Sequence, residues 1–576
     1  MNGRHPGRGP VLLLCGLALL LGLGLGMGGC ARRPARPAPA PASAAEAAAA
    51  REEAEIEAET QEPGRPLSDL NPFAQRGKNA YDAKHYAEAA ADFTRSLRLD
   101  PGDSRSLLYR GQALLRLGHA AEALEDFTAL ARLRPRFAGA PYHRAEALAE
   151  LGRLEEAVQD YTAALRLAPG NSRALKARAA ALARLGALDQ AADDLDHVLA
   201  KNHADLTALV QRAALRQDQG LPRQAEADLT AALDLAPERA DLLLSRGRLR
   251  RALGLPGAEE DLSRAVELAP DPAEALRQRA ALRLEQGRPA EAVRDLDALA
   301  GLTPADPLAL VLRAVAKAAA ADPAGSLADY SAALDLEPRL AVALLGRGRL
   351  LLAGGSLPEA AADFGAVLRL EPANPQARLG RGQALAGMGF AEPAEADLGA
   401  ALDLDPDLAE ASCARGLLRQ ARGRAEGALP DLDRCLAAEP GNHAAALARA
   451  QALLALGRAG DSLAAALRLA GTAGVEAGSA GFHLALARTL AHNPQADASA
   501  AGLAQLHARR GLELAGPTPQ ALDALAAALA RAGSFAEARN AQRQALARLT
   551  GPEREALLPA FKARLDRYVK NLPADE

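Results

Sequence analysis

Residues 110–135 read RGQALLRLGHAAEALEDFTALARLRP, and residues 144–169 read RAEALAELGRLEEAVQDYTAALRLAP. Set one under the other, they agree in Arg110 and Arg144, in Gly118 and Gly152, in Ala123 and Ala157, in Asp126 and Asp160, and in Pro135 and Pro169. The offset is 34 residues. Working outward, the proline recurs at Pro101, Pro237, Pro270, Pro304, Pro338, Pro372, Pro406 and Pro440, with His203 where the series skips. One unit, 240–272, is a residue short in the turn around Gly254-Leu255-Pro256. A fixed period of this length marks a chain that grows as an array of like units rather than around one core.

Each unit reads as two helices. A small residue stands at position 8 (Gly77, Gly111, Ala145, Ala179), and a Gly often follows at position 15 (Gly118, Gly152, Gly186, Gly220). That Gly ends helix A, where a left-handed residue is needed. Helix B carries Ala at position 20 (Ala89, Ala123, Ala157, Ala191) and a larger apolar residue at position 24 (Phe93, Phe127, Tyr161, Leu195). Positions 8 and 20 must be small because two antiparallel backbones approach closely there, and position 24 fills the gap toward the neighbouring unit. Pro at position 32 then stops helix B, since it lacks an N–H and clashes with the preceding turn. Composition agrees. Of the 576 residues 49% are hydrophobic but only 3% aromatic, with no Trp, which is helix-forming material with small residues for close packing.

Small 8, small 20, aromatic or Leu 24 and Pro 32 at period 34, about a dozen times in phase, resembles the tetratricopeptide repeat family. The resemblance implies an all-α, right-handed superhelical solenoid of about 12–14 helix-turn-helix units. Twelve units cover 70–476, degenerate and closing units cover 477–551, and a capping helix and tail occupy 552–576.

The first 29 residues read as an export signal, with Arg4 and Arg8 ahead of the apolar run Val11–Gly28. That run is short and Gly-rich for a spanning helix, which needs ~20 apolar residues. Gly28-Gly29-Cys30 after Met27 resembles the lipobox of bacterial lipoproteins, which implies lipid (palmitate) on Cys30. Residues 30–69, rich in Pro, Ala and then Glu, cannot bury a core and read as a tether. Ala31 rather than Asp after the Cys implies the outer membrane, facing the periplasm. Of the four cysteines, Cys15 and Cys30 belong to the leader. Cys413 and Cys435 could form a disulfide in an oxidising compartment, but their register suggests unmatched heights on paired helices, so they are expected to stay apart.

One pattern goes beyond the family. Position 7 is Arg in twelve successive units, from Arg76 to Arg449, and position 23 is Asp in eleven, from Asp92 to Asp431. The pairs include Arg110 with Asp126, Arg144 with Asp160, Arg178 with Asp194, Arg347 with Asp363 and Arg381 with Asp397. They read as a structural ion-pair ladder, within a unit or across the joint between units, because a guanidinium fork binds a carboxylate bidentately while its stem packs on apolar neighbours. The alternative, a basic stripe for anions, is opposed by the matching Asp series.

The family presents helix A residues on a concave surface. Its carboxylate-clamp pattern of Lys and Asn is absent. Early units place Arg105, Gln112, Arg116, Glu146, Glu150, Lys176 and Arg184 there. The middle places Leu308, Val311, Val315, Val342, Leu345 and Leu379 there, a candidate apolar groove for a partner helix or peptide. No room remains for a catalytic domain, the ten His show no HExxH or triad-like grouping, and no cofactor or metal set is expected. A formal net charge of -4 asks for no nucleic acid. The chain therefore reads as a membrane-tethered protein-binding scaffold of the bacterial cell envelope, supporting an export or surface machine. The alternative is a periplasmic carrier of exported polypeptides. Partners are envelope proteins or peptides, and the oligomeric state stays open.

Overall fold

The computed structural model describes residues 71–473 and 479–573. The expected leader, Cys30 and the tether up to residue 69 lie outside the described residues. Among the described residues there are 29 helices and no strand, and no helix is long and apolar enough to cross a membrane. The chain falls into two compact units that part after Pro304.

The first unit holds seven helix pairs. Four of them matter below: α1 (Pro72–Asp82) with α2 (Tyr86–Leu99), α3 (Ser104–Arg116) with α4 (Ala120–Leu133), α5 (Gly139–Glu150) with α6 (Leu154–Leu167), and α7 (Ser172–Arg184) with α8 (Leu188–Lys201). Helices α9 to α14 repeat the plan as far as Leu302. Several starts of helix A are capped by side chains, though that of α5 after Ala138 is not. Asn171 Oδ1 accepts from the Ala174 N–H at 3.0 Å, and Asp205 Oδ1 from the Ala208 N–H at 2.9 Å. Its end needs a positive φ, supplied by Gly118 at 82° and Gly152 at 76°. The close approach expected at position 8 is real. A Cβ on Gly111 would lie 2.6 Å from the Phe127 ring, and Ala123 and Phe127 are both fully buried.

The second unit runs from α15 (Pro307–Ala319) through α16 (Pro323–Leu336), α17 (Ala341–Ala353), α18 (Leu357–Leu370), α19 (Pro375–Gly387) and α20 (Ala391–Leu404). Next come α21 (Ala409–Ala421), α22 (Ala425–Ala438), α23 (His443–Ala455) and α24 (Ala459–Ala473). The degenerate repeat is α25 (Ala480–Ala491) with the 18-residue α26 (Ala498–Ala515), followed by α27 (Pro519–Arg531) and α28 (Phe535–Arg548). The last helix, α29 (Gly551–Val569), closes the array. It buries Phe561 and Tyr568, and its Arg564 Nη1 donates to both oxygens of Asp523 on α27, at 2.6 and 2.7 Å.

One expectation is corrected. Cys413 on α21 and Cys435 on α22 are bonded to each other, with their Cα atoms 4.9 Å apart. Positions 8 and 24 touch across each antiparallel pair, as Gly111 and Phe127 do. Positions 5 and 27, which these cysteines occupy, are the same contact moved three residues, about one turn, along both helices. Their heights match.

Candidate functional site

The Arg and Asp series meet inside the repeat, sixteen residues apart, or fifteen at Arg246–Asp261, while the last of the series, Arg449, reaches back to Asp433. Arg110 Nε and Nη2 donate to Asp126 at 2.9 and 2.6 Å, and Arg144 does the same to Asp160 at 2.6 and 2.6 Å. The fork recurs at Arg178–Asp194 (2.8 and 2.6 Å), Arg347–Asp363 (2.8 and 2.9 Å) and Arg381–Asp397 (2.6 and 2.7 Å). The carboxylates are buried. The third guanidinium nitrogen reaches back across the joint. Arg178 Nη1 donates to the Thr162 hydroxyl at 3.0 Å, and Arg279 Nη1 to the Ser263 hydroxyl at 3.1 Å. Where the preceding repeat supplies a hydroxyl, as at Arg110, Arg178, Arg246, Arg279 and Arg347, the Arg ties its own helix B to that of the preceding repeat; Arg381 and Arg415 face Gly365 and Gly399 there instead. A second cation, at position 11, was missed from the sequence. Arg216 reaches Asp228 at 2.7 Å, Lys317 reaches Asp329 at 2.8 Å, and Arg419 reaches Asp431 at 2.9 Å. Its signal was available as Arg or Lys recurring four residues after the position-7 Arg. Burial pushes the Asp126 carboxyl above its usual value, and Arg110 pulls it back only in part. Arg144 and Arg178 are held above the ordinary guanidinium value by their hydrogen bonds to Asp160 and Asp194.

The apolar patch expected in the middle of the array is mostly closed. Val311, Val315 and Leu379 are buried, at 1%, 6% and 3% exposure, while Val342 and Leu345 are half-buried. Only Leu308 stands out, at 49%. Apolar residues at concave positions here pack against their neighbours rather than line an open groove.

The open concavity is at the other end, in the first unit. Helices α1, α3, α5 and α7, with Tyr161 from α6, enclose a cleft of about 1060 Å³. Its floor is aromatic and its walls are charged. Tyr81 and Tyr109 meet at 5.4 Å between ring centres, and the Lys78 ammonium lies 5.1 Å over the Tyr109 ring. Lys78 is itself bound to Asp82 at 2.6 Å. Deeper in, Glu146 collects a preset network. His143 Nδ1 and Tyr142 Oη reach its two oxygens at 2.7 and 2.8 Å, and Arg173 lies 3.7 Å away. Gln112 Nε2 stands 3.1 Å from the other His143 nitrogen. Burial alone would raise the Glu146 carboxyl, but the hydrogen bonds from His143 and Tyr142 and the charge of Arg173 hold it below its usual value. Burial, then the adjacent Glu146, drives the Tyr142 hydroxyl well above its usual value, so it stays a donor.

Three rim residues share repeat position 13: Arg116, Glu150 and Arg184. All three are exposed, and among the described residues neither Arg makes an ion pair; Arg184 Nη1 reaches only the Ala149 carbonyl, at 3.5 Å. Sequence reasoning placed Gln112, Arg116, Glu146, Glu150 and Arg184 on this surface. It missed Tyr81, Tyr109 and His143. With 7 Tyr in 576 residues, the presence of three in one cleft is the signal that was available.

Comparison with known proteins adds the following. A tetratricopeptide repeat family profile matches residues 75–138, 111–172, 142–205, 311–375 and 345–409. No curated protein matches the sequence. Among solved structures, Cut9 in the APC/C hetero-tetramer Cut9-Hcn1 is similar at 17% identity and TM-score 0.39, over 80% of this chain and 97% of that one. A tetratricopeptide repeat protein from Parabacteroides merdae is similar at 23% identity and TM-score 0.33, over 43% of this chain and 98% of its own. MamA from Desulfovibrio magneticus is similar at 24% identity and TM-score 0.28, over 30% of this chain and 96% of that one.

Proposed function

We propose that this chain, in which residues 75–205 and 311–409 carry tetratricopeptide repeats, is a protein-binding scaffold tethered to a bacterial envelope membrane through a lipid on Cys30. The observation that carries the binding reading is the open cleft on α1, α3, α5 and α7. Its polar network is pre-organised, and among the described residues its exposed rim guanidiniums, Arg116 and Arg184, have no carboxylate of their own. Such a surface recognises an extended peptide by charge-assisted hydrogen bonds. Export is supported by the leader and by the Cys413–Cys435 disulfide, since such bonds persist in oxidising compartments. The burial of Val311, Val315 and Leu379 weighs against the apolar groove on which a carrier role would depend, with Leu308 left exposed and Val342 and Leu345 half-buried. Support of an export or surface machine is the role this arrangement serves.

In-cell crosslinking of the full chain, followed by mass spectrometry, tests the reading. One or two envelope proteins are expected in stoichiometric yield, lost with Arg116→Glu/Arg184→Glu and released from the membrane fraction with Cys30→Ser. Unchanged partners in the first variant remove the cleft as the site. Unchanged membrane retention in the second removes the lipid anchor.

A further inference from the structure

We infer that one edge of the first unit, where the chain enters α1 and where Arg98-Leu99, Arg132-Leu133 and Arg166-Leu167 stand exposed, docks on an anionic lipid surface. The inference goes beyond the anchor at Cys30 but rests on that reading for bringing this edge to a bilayer.

Each pair closes a helix B. Helices α2, α4 and α6 end at Leu99, Leu133 and Leu167, and short turns lead from there to the starts of α3, α5 and α7. These ends share one side of the unit. Asn71 Nδ2, at the start of α1, donates to the Ser96 hydroxyl of α2 at 2.8 Å, and that hydroxyl lies 2.8 Å from the Ser106 hydroxyl of α3. Lys201, which ends α8, donates to the Gly170 carbonyl in the turn after α6, at 3.3 Å.

Leucine at position 30 is common to most repeats; the residue before it sets these three apart. Helices α10 (Pro222–Leu235) and α12 (Ala258–Leu268) end instead in Asp234-Leu235 and Glu267-Leu268. The turn after α4 adds Arg134 and Arg136, whereas those after α10 and α12 bring Glu238 and Asp271. A helix C-terminus favours a cation, yet the array accepts Asp and Glu at the same place, so the fold does not demand these three Arg. They are exposed, and among the described residues none of them makes an ion pair or a side-chain hydrogen bond. The two carboxylates in the same three turns have local work: Asp100 accepts from the Gly102 N–H at 3.0 Å, and Asp103 caps α3.

Guanidiniums beside exposed leucines suit an anionic bilayer surface, which draws the charge to phosphate and takes the apolar side chain into the headgroup boundary. Position favours lipid over an acidic protein, because the chain ahead of Asn71 leaves from this same edge. Forty residues separate Cys30 from Asn71, so a lipid on Cys30 keeps the edge within about 140 Å of the bilayer, and a weak contact then suffices. Each cation near an anionic surface strengthens binding about fivefold, so three give about a hundredfold. Docking also decides which way the cleft faces. The rim residues Arg116, Glu150 and Arg184 end α3, α5 and α7, whose starts lie on the docked edge. The rim therefore stands about 18 Å further from the lipid, the length of one helix, on the side that partners approach.

The test uses the full chain reconstituted in vesicles of phosphatidylethanolamine, with or without phosphatidylglycerol, that carry a trace of nitroxide-headgroup lipid. Dansylalanine replaces Leu133 in one version and Leu235 in another; both leucines are 46% exposed, so they differ in the charge beside them. With phosphatidylglycerol present, nitroxide quenching at 133 is expected to exceed that at 235 by about fivefold or more. It should fall to the level at 235 without phosphatidylglycerol, at high salt, and in Arg98→Glu/Arg132→Glu/Arg166→Glu. Equal quenching at the two positions, or quenching at 133 that ignores lipid charge, overturns the inference. An edge that serves an acidic protein instead leaves 133 unquenched in these vesicles, which overturns it as well. Flotation with phosphatidylethanolamine vesicles reads the anchor separately. A chain that floats with 133 unquenched in both lipids keeps the anchor and loses the edge, whereas one that floats only with phosphatidylglycerol, 133 quenched, keeps the edge and loses the anchor.

Discussion

At repeat position 15 the chain must turn with a positive φ, and two repeats do so without glycine: Lys84 at 62° and Ala321 at 60°. An L side chain there costs ~1–2 kcal/mol, partly offset by the greater freedom glycine has in the unfolded chain. Ala321→Gly should therefore stabilise its repeat by about 0.5–1 kcal/mol, read as added hydrogen-exchange protection in α15 and α16, whereas Gly152→Ala should destabilise α5 and α6 by a similar amount or more. The ladder gives a second contrast. Asp228 is buried and takes two cations, Arg212 at 2.7 Å and Arg216 at 2.7 Å. Removing it as Asp228→Ala leaves Arg216 with no carboxylate and Arg212 with only the exposed Asp196, and should cost about 2–4 kcal/mol. Asp433, more than half exposed and bound to Arg449 at 2.5 Å, should cost under ~1 kcal/mol when changed to Ala. Local exchange in the two repeats compares them directly, and equal effects would mean that burial is not what matters. These rungs could be read from the sequence because one residue type held one position a dozen times. The cleft aromatics could not, because Tyr81, Tyr109 and Tyr161 occupy three different repeat positions and any averaging over the period hides them.

Two helix pairs carry devices that the repeat itself does not specify. In α21 and α22 the disulfide joins residues 22 apart, which in a chain-entropy account is worth about 3 kcal/mol. Cys435→Ala should raise exchange in α21, α22 and their neighbours and leave the first unit untouched, since a repeat passes stability only to adjacent repeats. The bond was illegible in the sequence because the 5-and-27 contact carries cysteine once, so no periodicity announced it. In α25 and α26, His483 and His507 are fully buried, with their Nδ1 atoms 2.9 Å apart and no hydrogen-bond partner for either Nε2 among the described residues. Burial holds both imidazoles below the ordinary His value, helped by Arg510 for His483 and by His483 for His507. The unfolded chain then takes up protons more readily than the folded one. The contribution of the pair is complete above about pH 6.5 and is lost as the pH falls below it. Exchange in α25 and α26, corrected for intrinsic rate, should rise from pH 7.5 to pH 5, and a His483→Phe/His507→Phe version should flatten that dependence. The apolar patch was misjudged for a related reason. Composition at Val311, Val315 and Leu379 shows that these positions are apolar, but the side chains that cover them belong to other helices.

For the whole molecule, an array of like pairs must be closed at its end, and α29 does this by burying Phe561 and Tyr568 and by answering the buried Asp523. Ending the chain after Thr550 uncovers Leu522, Ala545 and Leu549 and leaves Asp523 without Arg564. That version should lose protection in α27 and α28 first and associate through the bared face, seen as concentration-dependent growth in light scattering. The same uniformity raises a difficulty in folding. With a dozen near-identical Arg and Asp rungs, a guanidinium could in principle settle on the carboxylate of the wrong repeat. Every rung in the first unit instead closes over fifteen or sixteen residues. The following repeat's carboxylate is about three times as far away in the chain, which adds about 1 kcal/mol of loop-closure cost to an error in that direction. The preceding repeat's carboxylate is only 18 residues off, as Asp92 is from Arg110, so loop closure hardly separates it from the native partner. Occupancy separates them instead: Asp92 is already gripped by both Nε and Nη2 of Arg76, and Arg110 meets the Thr94 hydroxyl there at 3.3 Å. A zipper with identical teeth thus meshes in register because each socket is filled by the tooth of its own repeat.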